Sequence, residues 1–206
     1  MNGKQQNRQL LYDRMPLMRR VVILGNAGSG KSTLARALGA RLDLTVVHLD
    51  TLFWEPGWIE SATEDFRERI RSTTPADAWV SEGNYARRTF DLRLPQADLL
   101  IWLDTPKWTC LLRVVMRNLM NRPRADLPAG CTEKLNRDFL IFLKFVWQFD
   151  RVSRPGIEAK RLEIGPKVPV VHLRGARQIA SFLNALPAAS AARNKALSET
   201  LAPGHK

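Results

Sequence analysis

The residues most able to do chemistry lie in one glycine-rich stretch, Gly25 to Ser32. The stretch has glycine, lysine and serine at every fixed position of the phosphate-binding pattern G-x-x-x-x-G-K-[ST]. Its glycines let main-chain N–H groups turn toward a phosphate chain, which a Cβ would obstruct. Lys31 is expected to reach the β and γ phosphates of a nucleoside triphosphate, and the Ser32 hydroxyl to ligate Mg²⁺. The predicted nucleotide contacts are Gly25, Asn26, Ala27, Gly28, Ser29, Gly30, Lys31, Ser32 and Thr33.

Two predicted elements position this stretch. The apolar run at 21–24 is typical of a buried strand that enters the loop, and residues 33–44 have the pattern of a helix that leaves it. Leu34, Leu38 and Leu42 form one face of that helix, which is expected to pack on a sheet. The N-terminus of the helix would add unpaired N–H donors and the positive end of its dipole to the phosphate site.

The rest of the chain alternates strand patterns with helix patterns, which predicts a parallel sheet covered on both faces. Four further strands are predicted at 45–50, 78–81, 98–104 and 168–173. A capping box at 61–64 predicts the start of a helix that carries Phe66 and Ile70. Other helices are predicted at 108–119, 139–149 and 179–186. The predicted buried face of the helix at 108–119 consists of Trp108, Leu111, Leu112, Val115, Met116 and Leu119.

Three acids lie at the ends of predicted strands: Asp50, Glu82 and Asp104. Ligands of such folds bind beyond the carboxyl ends of the strands. Glu82 is expected to approach the magnesium shell, and Gly83 after it leaves room for substrate. Asp50 is expected to orient or deprotonate an acceptor hydroxyl or to bind substrate, and a turn-forming aspartate is the alternative. Asp104 is interpreted as the cap of the following helix.

Arginines could supply the positive charge that phosphoryl transfer needs around the moving group. Arg113 and Arg117 lie one helical turn apart and are expected to point at one place. About half of eight candidates are expected to touch ligand. The other candidates are Arg87, Arg88, Arg122, Arg124, Arg151 and Arg154. His48 and His172 fall inside predicted strands, where packed neutral histidines are expected, and no zinc site is indicated.

Composition and charge bound the class of protein. The chain has 206 residues, 45% apolar and 25% charged, which fits one α/β domain at 18–186. Residues 1–17 are predicted as a flexible basic extension and residues 187–206 as a disordered tail. The net charge of +12 fits either a solvated basic surface or weak nucleic-acid binding through that surface. Two cysteines without a C-x-x-C pair, and no membrane-spanning or signal-peptide pattern, predict a cytoplasmic protein.

With these residues assembled, the chain resembles the small P-loop kinases, the group of adenylate and shikimate kinases. Within that group it most resembles the kinase-like DNA topology modulation proteins. The resemblance runs from about residue 19 to residue 154 and more weakly to residue 186. The segments that carry it are 25–32, 48–50 with the tryptophans that follow, 79–85 and 104–117.

The resemblance implies a P-loop NTPase fold of three layers, α/β/α, with a five-stranded parallel sheet in the order 2-3-1-4-5. It also implies Mg-ATP as the phosphoryl donor and a small helical lid at about 118–135, which Arg113 and Arg117 precede. Arg177, after the last strand, lies in a segment that resembles the loop holding the adenine ring. Arg87 or Arg88 would take the place of an arginine that follows an Asp-Gly pair in adenylate kinases.

The acceptor site is the part that the resemblance leaves open. The AMP-binding segment of adenylate kinases is not evident between residues 50 and 75, where an aromatic loop at 51–60 is predicted instead. Its aromatics, Phe53, Trp54 and Trp58, either stack on a base or sugar or pack on the next helix. The predicted substrate contacts are Asp50, Trp54, Gly83, Asn84, Arg87, Arg88 and Arg154.

These features predict an ATP-dependent phosphotransferase that acts on a small hydroxyl- or phosphate-bearing acceptor, as a monomer or a homodimer. An ATP-binding regulatory protein associated with DNA is the alternative, and a bare ATPase with a partner docked on the helix at 139–149 is a third interpretation. The predicted metal ligands are Ser32 and Glu82. The predicted catalytic residues are Lys31, Asp50, Glu82, Arg113 and Arg117.

Overall fold

The computed structural model describes residues 18–120, 130–131 and 136–186. The predicted extension at 1–17, the predicted tail at 187–206 and most of the predicted lid at 118–135 lie outside the described residues, as do Arg122 and Arg124. The elements in chain order are β1 (Arg20–Gly25), α1 (Lys31–Leu42), β2 (Thr45–His48), α2 (Leu49–Phe53), β3 (Trp54–Glu55), β4 (Ile59–Glu60), α3 (Thr63–Thr73), β5 (Trp79–Glu82), α4 (Ala86–Arg93), a 3-10 turn (Leu94–Gln96), β6 (Leu99–Leu103), α5 (Lys107–Leu119), α6 (Arg137–Val152), α7 (Arg154–Ile164), β7 (Val170–Leu173) and α8 (Gly175–Ala185).

A five-stranded sheet in the order β2-β5-β1-β6-β7 forms the centre of the fold. All four pairings within it are parallel. Counted among themselves, these five strands have the predicted order 2-3-1-4-5. The strand numbers differ because an antiparallel hairpin, β3–β4, intervenes, and the sequence pattern did not predict it.

Strand β1 shows how the sheet is covered on both faces. Its side chains alternate between two core clusters, as the two-residue period of a strand requires. Val21 and Ile23 pack with α1 and α8, while Val22 and Leu24 pack with α4, α6 and α7. The helices therefore form a layer on each side, which confirms the three-layer α/β/α prediction.

The segment after β2 differs from its prediction. The strand predicted at 45–50 ends at His48, and the loop predicted at 51–60 is a short helix followed by the β3–β4 hairpin. The helix forms because Leu49 and Phe53, one turn apart, are both buried in a cluster with α3. Asp50 accordingly lies in the first turn of α2 and not at the end of a strand.

Helix α3 begins where predicted, but the capping box at 61–64 was wrong. The N-cap residue is Ala62, and no side chain caps the helix. Ser61 is buried, and its hydroxyl accepts a hydrogen bond from Arg69 (2.8 Å), so it is not available to the helix N-terminus. The predicted core residues of α3, Phe66 and Ile70, are buried.

Helix α5 buries a different face from the predicted one. Its buried residues are Cys110, Val114 and Asn118, whereas the side chain of Leu112 is 62% exposed. The α5 sequence is apolar around most of its circumference, so periodicity alone could not select the face. Contact with α6 selects it, because Cys110 and Val114 form a cluster with buried residues of that helix.

The helix predicted at 139–149 is confirmed as part of the longer α6, whereas α7 was not predicted. The sequence of α7 begins with Arg154-Pro155-Gly156, a pattern that is typical of a loop. Proline is nevertheless tolerated in the first turn of a helix. Ile157 then anchors α7 in the core. Over the described ranges, no helix combines the length and the apolarity that crossing a membrane requires.

Candidate active site

The stretch Gly25 to Ser32, here called the phosphate loop, connects β1 to α1. Gly25, Gly28 and Gly30 have φ angles of 148°, 75° and 102°, which side chains other than glycine rarely adopt. A Cβ at Gly25 would lie 2.9 Å from the main-chain oxygen of Leu103, and one at Gly28 would collide with the carbonyl of Cys110. Close packing against β6 and α5 therefore requires glycine here, in addition to the predicted approach of phosphate.

The phosphate loop is tied to the end of β5 by a reciprocal pair of hydrogen bonds. The Asn84 side chain accepts from the Gly25 N–H (3.1 Å) and donates to the Gly25 carbonyl (3.0 Å). Arg93, only 2% exposed, donates in turn to the carbonyls of Gly83 (3.1 Å) and Asn84 (3.0 Å). Asn84 was predicted as a substrate contact, and the structure gives it this supporting position beside the loop.

The sequence analysis missed Arg93. The available signal was its position three residues after Phe90, on the face of α4 that Ala86 and Phe90 bury. A buried arginine needs its N–H donors satisfied, and here carbonyls and hydroxyls satisfy them. Burial lowers the pKa of Arg93, and the negative charge of Glu82 opposes that shift.

Three predicted site residues lie close together where the phosphate loop meets α1: Lys31, Ser32 and Glu82. The Ser32 hydroxyl donates to Oε1 of Glu82 (3.0 Å), and the Lys31 ammonium donates to the Asn26 carbonyl (3.0 Å). Nδ1 of His48 lies 2.8 Å from the same oxygen of Glu82. Because a carboxylate can only accept, this ring nitrogen carries the proton.

Glu82 is 1% exposed, and its charge state follows from its partners. Burial alone would raise the pKa of its carboxyl group, but the hydrogen bond from His48, the charge of Lys31 and the hydrogen bond from Ser32 together hold that pKa below its ordinary value. Glu82 is therefore ionised at neutral pH.

A hydroxyl beside an ionised carboxylate fits the predicted Mg²⁺. Magnesium takes oxygen ligands, and in nucleotide sites it is held by one or two protein groups together with phosphate oxygens and water. Ser32 and Glu82 supply one hydroxyl and one carboxylate. In the part of the chain that the structure describes, no cluster of three or more His, Cys, Asp or Glu could hold a metal ion by itself.

The prediction of a packed histidine at His48 was incomplete: the side chain is only 13% exposed, but its ring also binds the carboxylate of Glu82. Strands β2 and β5 pair with His48 directly beside Glu82. Sequence could not reveal this contact without the register of two strands that are more than thirty residues apart.

The predictions for Asp104 and His172 were also wrong. The N-cap of α5 is Pro106, and Asp104 binds Arg154 (2.7 Å) and His172 (2.9 Å) instead. His172 is 44% exposed. Arg154 also lies over the ring of Trp102 (5.0 Å), so the structure places this predicted substrate contact beside β6 and β7 and outside the cleft described next.

One cleft of about 1830 Å³ is lined by residues 27–32 of the phosphate loop and by Glu82. Helices α5 and α6 contribute Arg113, Arg117 and Phe142 to its wall. Its α8 end is lined by small and apolar side chains, which are Ala176, Ile179, Ala180 and Leu183. Its other end, here called the hairpin end, is lined by Asp50, Trp54, Trp58, Glu60, Asn84 and Tyr85.

Only two of the arginines predicted to contact ligand line this cleft among the described residues. Arg113 lies over the phosphate loop, and its guanidinium donates to the carbonyls of Gly28 and Ser29 (3.4 Å each). Arg117, one turn later, lines the same cleft. Both arginines therefore line the cleft that contains the phosphate loop, and their convergence on one phosphoryl group stays a prediction.

The remaining predicted arginines that the structure describes lie outside the cleft lining. Arg87 is exposed on α4. Arg88 pairs with Glu60 (3.0 Å) and lies over the ring of Phe53 (4.8 Å). Arg177 is exposed in the first turn of α8, in a helix and not in the predicted loop. Its neighbour Ala176 lines the cleft instead.

At the hairpin end, the Tyr85 hydroxyl donates to Oδ1 of Asp50 (2.7 Å). Burial and the charge of Asp50 raise the pKa of Tyr85 far above its ordinary value, so the phenol stays protonated and remains a donor. Trp54 packs edge-on against Phe53 (4.8 Å) and Trp58 (5.4 Å). Asp50 and these aromatic side chains therefore line the same end of the cleft, and the Tyr85 phenol holds the Asp50 carboxylate.

Comparison with solved structures finds kinases of the P-loop fold. A shikimate kinase from Acinetobacter baumannii, in complex with shikimate, has a TM-score of 0.49 and 17% identity, over 92% of this chain and 99% of that one. A shikimate kinase from Bacteroides thetaiotaomicron has a TM-score of 0.47 and 17% identity, over 88% and 99%. A sugar kinase from a Janibacter species has a TM-score of 0.39 and 17% identity, over 90% and 96%.

No protein-family model and no curated protein matches the chain. At TM-scores below 0.5, the structural neighbours add no argument about substrate or mechanism. The resemblance to DNA topology modulation proteins stays a prediction.

Proposed function

We propose that the protein is a phosphotransferase that moves the γ-phosphoryl group of Mg-ATP to a hydroxyl of a small acceptor. One observation carries the proposal: residues 27–32 of the phosphate loop, Glu82, Arg113 and Asp50 all line a single cleft. Phosphoryl transfer needs positioning and positive charge around the moving group, with little covalent chemistry by the protein. This arrangement supplies both.

The roles follow from chemistry and position. The main-chain N–H groups of the phosphate loop and Lys31 bind the β and γ phosphates, and Arg113 and Arg117 balance charge on the transferred group. Ser32 and Glu82 would hold Mg²⁺, which supplies further charge neutralisation when bound. The acceptor oxygen bonds to the γ-phosphorus, the bond from that phosphorus to the β–γ bridging oxygen breaks, and ADP leaves.

Asp50 receives the proton that the acceptor hydroxyl loses. The hydrogen bond from Tyr85 fixes the orientation of this carboxylate at the hairpin end. A carboxylate is a weak base, which suits a reaction in which the proton departs late, after the phosphorus–oxygen bond has formed. The apolar α8 end of the cleft would take the base of the nucleotide.

The test is a screen of nucleosides, nucleotides and sugar-like alcohols for acceptor-dependent release of ADP. Lys31→Ala is expected to abolish turnover, because the β and γ phosphates lose their only ammonium partner within the described cleft lining. Lys144→Ala, an exposed position on α6 outside the lining, is the matched control. Undiminished turnover in the Lys31 variant would refute the proposal.

Arg117→Ala separates transition-state charge from nucleotide binding. We expect a fall in kcat of about tenfold or more with a smaller change in ATP affinity, because Arg117 acts on charge that develops during transfer. Arg151→Ala, exposed on α6 outside the cleft lining, is its control. Equal losses of ATP affinity and kcat would assign Arg117 to ground-state binding instead.

A DNA-associated, ATP-binding regulatory role is the alternative, and the net charge of +12 favours it. Twelve excess positive charges exceed what one nucleotide needs, so an anionic macromolecule would be attracted without any specific contact. ATP turnover that requires DNA, and no small acceptor, would favour this alternative over the kinase.

A further inference from the structure

Side chains from three elements form one chain of hydrogen bonds beside the phosphate loop. The Ser32 hydroxyl, on α1, donates to Oε1 of Glu82, on β5 (3.0 Å). Nδ1 of His48, the last residue of β2, donates to the same oxygen (2.8 Å). Ser32 and Glu82 line the cleft, whereas His48 is outside its lining. His48 therefore acts on the cleft through Glu82.

The backbone that carries His48 and Glu82 is fixed. In the sheet, Glu82 lies between His48 of β2 and Ile23 of β1. The N–H of the next residue, Gly83, donates to the Ile23 carbonyl (3.2 Å). The His48 carbonyl accepts from the Thr51 hydroxyl (2.7 Å), where β2 continues into α2. Because both backbones are held, the hydrogen bond from His48 restricts the orientation of the Glu82 carboxylate.

The orientation of Glu82 determines what the Ser32 hydroxyl presents to a ligand. A serine hydroxyl has one hydrogen and two lone pairs. While the hydrogen is donated to Glu82, the oxygen presents only lone pairs to any other group, which is what Mg²⁺ requires of a ligand. If the carboxylate turned away, the hydroxyl could rotate and present its hydrogen, which repels a cation.

We infer that His48 is a positioning residue for magnesium. It holds the Glu82 carboxylate where that group accepts the Ser32 hydrogen, so that the hydroxyl offers lone pairs to the cation. Hydrogen-bond partners one step removed from a metal typically change its affinity by 10–100-fold when they are lost. Both side chains of the His48–Glu82 pair are shielded from solvent, so water is a poor substitute for the imidazole. The inference rests on the proposed function for its statement that the cation is the Mg²⁺ bound with ATP.

Nucleotide binding with and without the metal tests the inference separately from turnover. A non-hydrolysable ATP analogue is titrated into the full chain by calorimetry, once with Mg²⁺ and once with EDTA in its place. The readout is the ratio of the two affinities, here called the Mg²⁺ preference. His48→Leu removes the N–H donor and should lower the Mg²⁺ preference by about tenfold or more. Affinity without the metal should change by less than about threefold, because no cation then depends on Ser32.

Two further variants separate the N–H donor from the bulk of the side chain. His48→Asn keeps an N–H close to the position of Nδ1 and should retain most of the Mg²⁺ preference. His172→Leu is the matched control, since His172 also binds a carboxylate, that of Asp104 (2.9 Å), but lies outside the cleft lining. It should leave the Mg²⁺ preference unchanged. If His48→Leu does not fold, His48→Ala removes the same donor and gives the same comparison.

A double-mutant cycle locates the effect at Glu82. In a Glu82→Gln chain the carboxylate that His48 holds is absent. Adding His48→Leu to that chain should therefore change the Mg²⁺ preference by less than about twofold. Losses that simply add would mean that His48 acts by another route, and they would overturn the inference.

Each outcome has one meaning. Equal losses of affinity with and without Mg²⁺ in His48→Leu would show a purely structural role and overturn the inference. So would an unchanged Mg²⁺ preference, a wild type that has none, or a His48→Asn variant as impaired as His48→Leu. A preference that depends on His48 in a protein without phosphoryl transfer would support the inference and refute the kinase. Phosphoryl transfer with a preference independent of His48 would support the kinase and overturn the inference.

Discussion

Glu82 shows how the interior of this protein keeps a carboxylate charged. Transfer of an isolated charge from water to a protein interior is strongly unfavourable, so a buried carboxylate survives only with partners. His48, Ser32 and the nearby charge of Lys31 provide them, and their combined effect outweighs burial. The result is a negative charge beside the phosphate loop on a side chain that is shielded from solvent.

This arrangement predicts a pH dependence of stability. The folded-state pKa of Glu82 lies below its ordinary value of 4.5. Its contribution to the free energy of unfolding is therefore present above pH 4.5 and is lost as the pH falls below that value. The difference in unfolding free energy between the wild type and Glu82→Gln should therefore decrease as the pH is lowered through this region. Urea denaturation at a series of pH values measures it, and a difference that grows on acidification would contradict the assignment.

Substitution of Arg93 is expected to lower both stability and ATP affinity, although Arg93 lies outside the cleft lining. Arg93→Met removes a buried cation and leaves the carbonyls of Gly83 and Asn84 without donors, which should lower the free energy of unfolding by about 3 kcal/mol. ATP affinity should fall as well, because Asn84 holds Gly25. Denaturation curves and nucleotide titration measure the two effects.

The control for Arg93 lies on the same helix. Arg87→Met changes an exposed arginine of α4 and should alter stability by no more than about 0.5 kcal/mol. Equal effects at the two positions would mean that the hydrogen bonds of Arg93 contribute nothing.

At the residue scale, sequence was informative where neighbours along the chain define the chemistry. Lys31 and Ser32 could be placed because the phosphate loop is a contiguous motif. His48 and Arg93 could not, since each depends on a partner that only the register of β2 and β5 or the packing of α4 brings near. Arg88 and Arg154 were predicted to contact substrate, but each binds an acid of this chain instead. Arg88 pairs with Glu60, and Arg154 pairs with Asp104.

Among the elements, α5 gives a direct test of which face is buried. Val114→Ala, at a fully buried position, should lower the free energy of unfolding by about 2 kcal/mol, because it leaves a cavity against α6. Leu112→Ala, one of the residues predicted to be buried but found exposed, should change it by no more than about 0.5 kcal/mol. Chemical denaturation of both variants is the measurement, and the reverse order would restore the original prediction.

Elements with one apolar face were predictable, and elements defined by tertiary contacts were not. The strands β1 and β6 are continuous apolar runs buried on both faces, so their sequences are unambiguous. The β3–β4 hairpin has strands of two residues each, too short for a periodic signal. Helix α7 was missed because its proline and glycine stand in the first turn, where they do not prevent a helix.

For the whole molecule, alternation of strands and helices was enough to predict a parallel three-layer fold, and the resemblance to P-loop kinases supplied the strand order. Net charge is the property of the whole chain with the clearest consequence. Because the charge of +12 is spread along the sequence, we expect weak binding of duplex DNA that depends on phosphate contacts and not on base sequence.

Salt tests this expectation. The affinity for a fluorescently labelled duplex should fall at least tenfold between 50 and 200 mM salt, because each phosphate contact releases condensed counterions. Anisotropy titrations with two unrelated duplex sequences measure it. Affinity that persists at the higher salt concentration, or that differs strongly between the two sequences, would contradict a purely electrostatic interaction.

The pair of hydrogen bonds between Asn84 and Gly25 has a further consequence for substitution at this position. Asn84 uses its amide oxygen to accept from the Gly25 N–H and its amide nitrogen to donate to the Gly25 carbonyl. An aspartate of nearly the same shape could only accept, so it would set two oxygens face to face at Gly25 and lose one of the two bonds. The chemistry of the side chain, and not the space available to it, therefore demands an amide here.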